Sequence, residues 1–289
     1  MYVVLVNPVS GNGNSLKQLP AIEAFLSDRG IEYRVEKTAG HGDGTRIAAR
    51  LKIESPEAIV VVGGDGTLFD VVNGLKESDV PVLFAPYGTG NDFVKSIPLP
   101  KDPLEALRVQ LEAPLKRIDL CKMNDMYFLN VGGTGFDVEV LRNADKYKEK
   151  YTGLQVYFHG LLDALKQYKP LTAKVTIDGE TQERSFAILS VGNGRYFGGG
   201  MKAVPDAVVD DGLLDAVIVK PVKKFMILPL IALFIKGKHV RMGLGRLHRC
   251  RRITIESAGM TVNMDGELYP YDVADFEILP GKLTVRLPR

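Results

Sequence analysis

Residues 58–67 read Ala-Ile-Val-Val-Val-Gly-Gly-Asp-Gly-Thr, and this stretch decides the fold. The run Ala58–Val62 is apolar throughout, a pattern typical of a strand that is buried on both faces of a sheet. A glycine-rich turn, 63–67, follows at once, and apolar residues at helical spacing continue over Thr67–Leu75. A buried strand, a glycine turn and a helix in this order are the repeating unit of a parallel sheet, so the stretch predicts an α/β fold.

The sequence on both sides of this stretch repeats the alternation of strand and helix. Strand patterns occur at Tyr2–Val6, Ile31–Lys37 and Val82–Ala85, and helical patterns at Leu16–Leu26, Ile47–Leu51 and from Asp102 to Leu111. Alternation of this kind implies right-handed crossovers and a mostly parallel sheet.

The second half of the chain has the pattern of antiparallel strands. The pairs Asn124-Asp125 and Asp178-Gly179 each lie between apolar segments, which is a strong hairpin signal. The segment Ser185–Val191 is predicted as one strand of this half.

Two domains follow from this change of pattern. We predict an α/β domain with a mostly parallel sheet over residues 1–118 and a mainly antiparallel β domain over residues 119–279. A last strand within 280–289 can pack back on the first domain.

Composition places the chain among ordinary globular proteins. It has 289 residues, 45% of them hydrophobic, and a net charge of +2 from 37 basic and 35 acidic residues. This balance gives no overall case for a nucleic-acid partner. Cys121 and Cys250 are too few and too far apart for a zinc site or a disulfide framework, which favours a reducing cytoplasm. The longest apolar run, Phe225–Ile235, is shorter than the roughly 20 residues of a membrane span, so we expect any membrane contact to be peripheral.

Each predicted parallel strand ends in a loop rich in glycine, hydroxyl and amide side chains. These four loops cover residues 7–14, 38–45, 63–67 and 87–92. The carboxyl ends of parallel strands share one edge of the sheet, where ligands bind. Glycine lets the backbone approach a phosphate closely, and helix N-termini supply free N–H donors. The four loops together predict a nucleotide or phosphate site.

The common motifs of other enzyme classes are absent from the sequence. It contains no GxxxxGK[ST], HExxH or GxSxG, and Leu16 stands in place of the third glycine of a dinucleotide fingerprint. Two interpretations of the turn 63–67 remain open on its residues alone. Asp65 or Thr67 caps the following helix, or Asp65 holds Mg²⁺ beside a triphosphate.

The turn 63–67 resembles the signature of a kinase superfamily that includes diacylglycerol kinases, other lipid kinases, NAD kinases and, more distantly, phosphofructokinases. Further matching motifs occur in family order: Asn7-Pro8-x-Ser10-Gly11, Thr38 with Gly42-Asp43, Gly88-Thr89-Gly90-Asn91-Asp92-Phe93, Asp206 to Leu213, and Asp265-Gly266-Glu267. Over almost its whole length the chain resembles the bacterial soluble members of the diacylglycerol kinase catalytic-domain family, the YegS-like lipid kinases. Gly44 and Asp70 depart from this pattern, since Ala and Glu are commoner there.

The resemblance implies a site for ATP and Mg²⁺. The residues that would contact ATP are Asn7, Ser10, Gly11, Thr38, Gly64, Asp65, Gly66, Thr67, Leu68, Phe69, Asp70, Thr89 and Asn91. Asp65 and Asp92 would belong to the network around the catalytic Mg²⁺, with Asp211 assisting. The carbonyls of Val208 and Leu213, with the side chain of Asp211, would hold a structural Mg²⁺.

The resemblance also implies catalytic roles for acidic residues. Glu267 would be the general base that accepts the proton of the attacking hydroxyl. Asp65, Asp119 and Asp265 match acidic positions near the reaction centre. From the residues alone, Asp265-Gly266 is equally an ordinary hairpin turn followed by a solvated glutamate.

A basic and apolar segment carries the case for a lipid partner. Residues 216–252 contain ten Lys or Arg and no Asp or Glu, and they enclose the apolar run Phe225–Ile235. Basic flanks bind anionic headgroups while an apolar face enters the membrane interface. The alternative is a buried element with a solvated basic rim.

With the resemblance, these features predict an ATP-dependent lipid kinase at the inner membrane surface. Its expected reaction transfers the γ-phosphate of ATP to a lipid hydroxyl. The foremost expected acceptor is diacylglycerol, which the reaction would convert to phosphatidic acid. The alternatives are another acceptor (a different glycerolipid, a sphingoid base or NAD) or a non-catalytic regulator that binds nucleotide or membrane. Anionic phospholipid is an expected partner, nucleic acid is not, and the sequence allows a homodimer.

Overall fold

The computed structural model describes residues 1–147, 150–151 and 154–288, the side chains of 154 and 157 excepted. The strands are β1 (Tyr2–Val6), β2 (Tyr33–Lys37), β3 (Ala58–Gly63), β4 (Val82–Pro86), β5 (Leu115–Met123), β6 (Met126–Phe128), β7 (Val131–Gly135), β8 (Leu171–Ile177), β9 (Glu180–Phe186), β10 (Ile188–Gly192), β11 (Leu214–Val219), β12 (Gly245–Cys250), β13 (Arg252–Glu256), β14 (Thr261–Met264), β15 (Glu267–Pro270) and β16 (Val273–Arg286). The helices are α1 (Ser10–Ser27), α2 (Asp43–Glu54), α3 (Asp65–Leu75), α4 (Pro103–Glu112), α5 (Phe136–Ala144), α6 (Leu154–Gln167) and α7 (Ile227–Ile235), with 3₁₀ turns at Val94–Ser96, Asp145–Tyr147 and Lys224–Met226.

The first half folds around four parallel strands in the order β2–β1–β3–β4. Alternate side chains of a strand point to opposite faces, so Val3 and Leu5 pack with helices α2 and α3. Val4 and Val6 pack with α1 and α4 on the other face. The strand order reverses between β1 and β3, which opens a crevice at their carboxyl ends, where the glycine-rich loops lie.

The second half contains an antiparallel sheet with the order β12–β11–β10–β7–β14–β15. Its inner face packs against β8, β13 and β16 around fully buried side chains that include Phe128, Phe186 and Phe276. Its outer face is covered by α6 and α7. The predicted hairpin turns are present, since Asn124, Asp178 and Gly179 all have positive φ angles between paired strands. These sheets confirm the predicted fold class.

One long strand, β16, joins the two halves. Residues 273–277 pair with β13 and residues 276–279 pair with β5. After a bulge near Gly281 the strand continues along β5, and Val285 pairs in parallel with Val82 of β4. The first sheet is therefore continuous across both halves. The division predicted between residues 118 and 119 falls inside β5 and stays a prediction.

The segment Ser185–Val191 was expected as one strand, and this was wrong. The structure breaks it at Ala187, where β9 ends in the first sheet and β10 begins in the second. No helix among the described residues is both long and apolar enough to cross a membrane.

Candidate active site

Hydroxyl and amide side chains link the loops that follow β1 and β3. Asn7 donates its side-chain N–H to the hydroxyl of Thr67 at 3.1 Å, and the hydroxyl of Ser10 lies 3.4 Å from the same oxygen. Thr67 is almost fully buried in the first turn of α3. These contacts hold the two loops at a fixed separation across the crevice.

The loop after β4 lies against both of these loops through glycine. A Cβ on Gly88 would lie 2.3 Å from the Cα of Gly64, and a Cβ on Gly11 would lie 2.2 Å from the carbonyl oxygen of Tyr87. Such distances are impossible for any other residue without movement of the backbone. Glycine at these positions therefore serves the packing of the loops as well as access for a ligand.

An open cleft of about 530 Å³ lies beside these glycines. Gly11, Gly88 and Thr89 line one part of it, and Asp102 at the start of α4 lines another. The side chain of Asn91 does not line this cleft, because it braces its own loop. It accepts a hydrogen bond from Gly88 N–H and donates to the carbonyls of Pro86 and Gly88.

Two aspartates lie next to each other at the inner end of the crevice. The Asp65 carboxylate accepts a hydrogen bond from Phe93 N–H at 3.1 Å, and its other oxygen faces Gly90. Burial raises the pKa of the Asp65 carboxyl, and the nearby charge of Asp92 acts in the same direction. A cation at this point would relieve both effects, which is the electrostatic character of a metal site.

Asp92 is more fully engaged with protein donors than Asp65. One oxygen of its buried carboxylate accepts from Lys95 Nζ at 2.8 Å, and the other accepts from Gly199 N–H at 2.7 Å. Asp92 therefore positions a lysine and a loop of the second half beside Asp65.

The turn between β14 and β15 brings the second half to the same place. Asp265, Asn130 and Asp65 line one small cavity. Asp265 accepts a hydrogen bond from Val131 N–H at 2.9 Å, and burial raises the pKa of its carboxyl to about 7. Asp265 thus lies at the junction of the two halves.

A relay of hydrogen bonds fixes the turn that carries Glu267. Asn263 accepts from Gly266 N–H at 2.9 Å and donates to the carboxylate of Asp137 at 3.2 Å. Glu267 itself is exposed, at the first position of β15. Burial raises the pKa of the Asp70 carboxyl, and the charge of Glu267 acts in the same direction.

Several of the residues predicted to contact ATP support the site indirectly. Leu68 is buried in the core beneath the parallel sheet, and Phe69 packs against the core of the second half. The side chain of Asp70 accepts from Thr45 on α2 at 3.2 Å. Gly66 is exposed, and Thr38 follows β2 with its N–H bonded to the carbonyl of Val6.

Asp119 lies under two loops of the second half. Its carboxylate accepts from Gly212 N–H at 2.7 Å and from Gly281 N–H at 2.8 Å. The side chain is 3% exposed. No hydrogen bond of Asp119 in the described part of the chain reaches Asp65. The contacts of Asp119 therefore indicate that it anchors these two loops.

The loop 208–213, predicted to hold a structural Mg²⁺, is held by an arginine. One oxygen of Asp211 accepts from Leu213 N–H, and the other forms an ion pair with Arg249. Val208 is partly exposed at the start of the loop. Within the described residues no group of three or more His, Cys, Asp or Glu side chains is arranged to hold a metal ion.

The structure thus brings together Asn7, Ser10, Gly11, Gly64, Asp65, Thr67, Thr89, Asp92 and Asp265 around the crevice. Sequence reasoning missed Lys95, Asn263 and Asp137, which position this set. The only available signal was the proximity of Lys95 and Asn263 to motif residues, because their partners lie on other elements.

Comparison with known proteins supports the resemblance over the full chain. The model of the diacylglycerol kinase catalytic domain matches residues 1–123, and that of the YegS C-terminal NAD kinase beta sandwich-like domain matches residues 130–287. A diacylglycerol kinase of Mycobacterium tuberculosis (strain ATCC 25618 / H37Rv) is 30% identical, covering 99% of this chain and 94% of the relative. A protein of Xanthomonas axonopodis pv. citri (strain 306) named "Probable lipid kinase YegS-like" is 31% identical, covering 96% and 94%.

A solved structure shows the same architecture. A candidate diacylglycerol kinase from Bacillus anthracis str. Sterne matches with a TM-score of 0.79 at 28% identity, covering 99% of this chain and 94% of that chain. The chain therefore belongs to the diacylglycerol kinase and YegS-like lipid kinase family. These matches confirm the predicted family and fold class, and they confirm the prediction that the protein is a lipid kinase.

Proposed function

We propose that this enzyme transfers the γ-phosphate of ATP, with Mg²⁺, to the hydroxyl of a membrane lipid, and that diacylglycerol is the acceptor. The observation that carries the proposal is the junction at Asp65. There, an aspartate between glycine loops of a parallel sheet lines the same small cavity as Asp265, which begins the turn of the second sheet that carries Glu267. A phosphate donor and a proton acceptor can thus be held against each other.

The glycine loops support binding of the ATP phosphates. The first N–H groups of α3, after Gly64, have no partner within the helix and point toward the crevice, where an anion is favoured. The close approach of Gly64 and Gly88 leaves backbone rather than side chain on this surface. The cleft beside Gly11 and Thr89 supplies room for the rest of the nucleotide.

The acidic residues fit a single Mg²⁺ held mainly through Asp65. Mg²⁺ in phosphotransferases is commonly bound by one or two carboxylates, phosphate oxygens and water, so a three-carboxylate cluster is unnecessary. Asp65 has an oxygen facing Gly90, whereas both oxygens of Asp92 already accept hydrogen bonds. The metal would neutralise phosphate charge. At the second predicted metal position, Asp211 is free to ligate only when Arg249 moves away.

Glu267 is the residue we assign as general base. It is exposed to an incoming hydroxyl, and its turn is fixed by Asn263 and by the hydrogen bond that Val131 N–H donates to the Asp265 carboxylate. An ionised carboxylate in this place can accept the hydroxyl proton as the phosphoryl group transfers. Asp265 holds the turn and places a titratable group beside Asp65.

We also place the enzyme in the cytoplasm, bound peripherally at the inner membrane surface. Cys121 and Cys250 are both free and buried, as suits a reducing compartment. The lipid acceptor requires contact with a membrane, and anionic phospholipid is the expected partner of the basic segment 216–252.

The test is transfer of labelled γ-phosphate from ATP and Mg²⁺ to diacylglycerol in mixed micelles with anionic lipid, with NAD in a parallel assay. Glu267→Gln should bind ATP normally but transfer phosphate roughly 100-fold more slowly or worse. Glu180→Gln, another exposed glutamate at the start of a strand, is the matched control.

Other outcomes would redirect the proposal. Label on NAD alone would overturn the lipid acceptor, and a Glu267→Gln variant as fast as wild type would overturn the base. ATP binding without transfer to diacylglycerol, another glycerolipid or a sphingoid base would indicate a non-catalytic regulator. Asp65→Ala should abolish transfer, and retained activity would exclude its metal role.

A further inference from the structure

Helix α7 and the 3₁₀ turn before it present an apolar stripe to solvent. Phe225, Leu228 and Ile235 are 73%, 51% and 50% exposed, and their spacing places them on one side of the helix. The opposite side carries Ile227, Leu230 and Phe234, which are buried against α6 and the second sheet. The helix is therefore anchored by one face, and the other has no cover within the described residues.

Lysines and an arginine surround this stripe. Exposed basic side chains precede it at 220, 223 and 224 and follow it at 236, 238 and 241. Lys224 donates to the carbonyl of Lys166, and none of the six forms an ion pair with an acidic side chain in the part of the chain that the structure describes. An apolar stripe ringed by unpaired positive charge complements an anionic lipid surface.

The same charges argue against a second copy of this chain as the occupant. A two-fold interface places a surface patch against itself, so each lysine would approach the same lysines of the partner. The helix has nine residues, which suits a position in the plane of the interface and not across a bilayer.

A short segment joins this surface to the candidate active site. The carbonyl of Phe234, near the end of α7, accepts from Lys202 N–H at 3.1 Å. Three residues earlier in the chain, Gly199 donates to the carboxylate of Asp92 at 2.7 Å. Residues 199–202 therefore connect helix α7 with the acidic site through one hydrogen bond at each end.

We infer that Phe225, Leu228 and Ile235, with the flanking basic residues, form a docking face that enters an anionic bilayer and brings the site to its lipid acceptor. This inference deepens the proposed function. The role of the face in reaching a lipid acceptor rests on that function, whereas binding of the face to a bilayer can be measured separately. In the bound state the apolar stripe lies among the acyl chains and the basic groups contact the phosphates.

Vesicle flotation tests the docking face with the full chain. Wild type should bind vesicles of phosphatidylcholine with phosphatidylglycerol and not vesicles of phosphatidylcholine alone. The double variant Phe225→Ser/Leu228→Ser should bind at least about tenfold more weakly, and Lys223→Gln about fivefold more weakly. The control is Lys52→Gln/Ile53→Ser on α2, which removes one exposed charge and a side chain that is 86% exposed.

Each contrary outcome has a defined meaning. Equal binding by the serine double variant and wild type would overturn the docking face, as would equal binding to both kinds of vesicle. A dimer that the serine double variant dissociates, with vesicle binding unchanged, would assign the stripe to a second copy. Vesicle binding without phosphorylation of any lipid would refute the proposed function but support the docking face. Lipid phosphorylation without vesicle binding would support the proposed function but refute the docking face.

Discussion

Replacing Asp119 by alanine should destabilise the whole protein. The buried carboxylate accepts two backbone hydrogen bonds, from Gly212 and from Gly281, which lie in loops far apart in the chain. Each hydrogen bond to a charged acceptor contributes about 1.5–3 kcal/mol, and its loss leaves a buried N–H without a partner. Burial also raises the pKa of the Asp119 carboxyl. Part of the stabilisation from the two hydrogen bonds therefore offsets the cost of removing the charge from water. We therefore expect a loss of about 3 kcal/mol in the free energy of unfolding.

The assay is urea unfolding, with thermal unfolding as a second measure. A loss of this size should lower the melting temperature by about 5 °C in a chain of this length. Asp119→Asn keeps one acceptor oxygen but turns an amide N–H₂ toward the other donor, so it should fall between alanine and wild type. Glu267→Gln, at an exposed position, should unfold like wild type. If Asp119→Ala unfolds at the wild-type urea concentration but no longer transfers phosphate, the loop-anchor reasoning is refuted and a direct role at the reaction centre is favoured.

Three further predictions follow from contacts within the molecule. Gly88→Ala forces a Cβ to within 2.3 Å of the Cα of Gly64, so urea unfolding should show a loss of about 1–3 kcal/mol, with weaker ATP binding in calorimetric titration. Asn263→Ala frees the turn at Gly266, so kcat should fall about tenfold or more while the KM for ATP stays unchanged in steady-state kinetics. Burial raises the pKa of Asp215 from 3.8 to about 6, so the folded state retains a proton that the unfolded state has lost, and stability falls as pH rises through this window. Asp215→Asn should therefore exceed wild type in urea stability by about 2–3 kcal/mol near pH 7 but not near pH 4.

Controls separate these effects from general damage. Gly40→Ala places its Cβ where no atom lies within 4 Å and should leave stability unchanged. A higher KM for ATP with unchanged kcat in Asn263→Ala would contradict the positioning of Glu267. A constant stability difference between Asp215→Asn and wild type across the pH range would show that the carboxyl does not titrate as expected.

The sequence was sufficient for the first half because its signals are local. Ala58–Val62 is apolar throughout since β3 is buried on both faces, and Asp102 caps α4 by accepting from Glu105 N–H. The glycine turn 63–67 contacts Asn7 and Gly88. This proximity could be predicted because the strands of a parallel sheet end at one edge, whatever the length of the connections.

The second half depended on contacts that no local pattern encodes. Ala187 separates two strands of different sheets within one apolar segment. Asp119 finds its partners 93 and 162 residues further along the chain, so its role in anchoring loops could not be inferred from its neighbours. Asp211 and Arg249 are 38 residues apart, so only the folded arrangement shows that this carboxylate already has a basic partner.

The course of β16 also has a consequence for how the protein is made. Val82 of β4 pairs with Ile59 of β3 on one side, but its partner on the other side is Val285. A ribosome must therefore synthesise about two hundred further residues before this edge of the parallel sheet is closed. During that interval β4 is an open edge, able to pair with other chains. The buried glutamine of α4, Gln110, bonds both the N–H and the carbonyl of Phe84 in the meantime, and so occupies part of that edge before its final partner arrives.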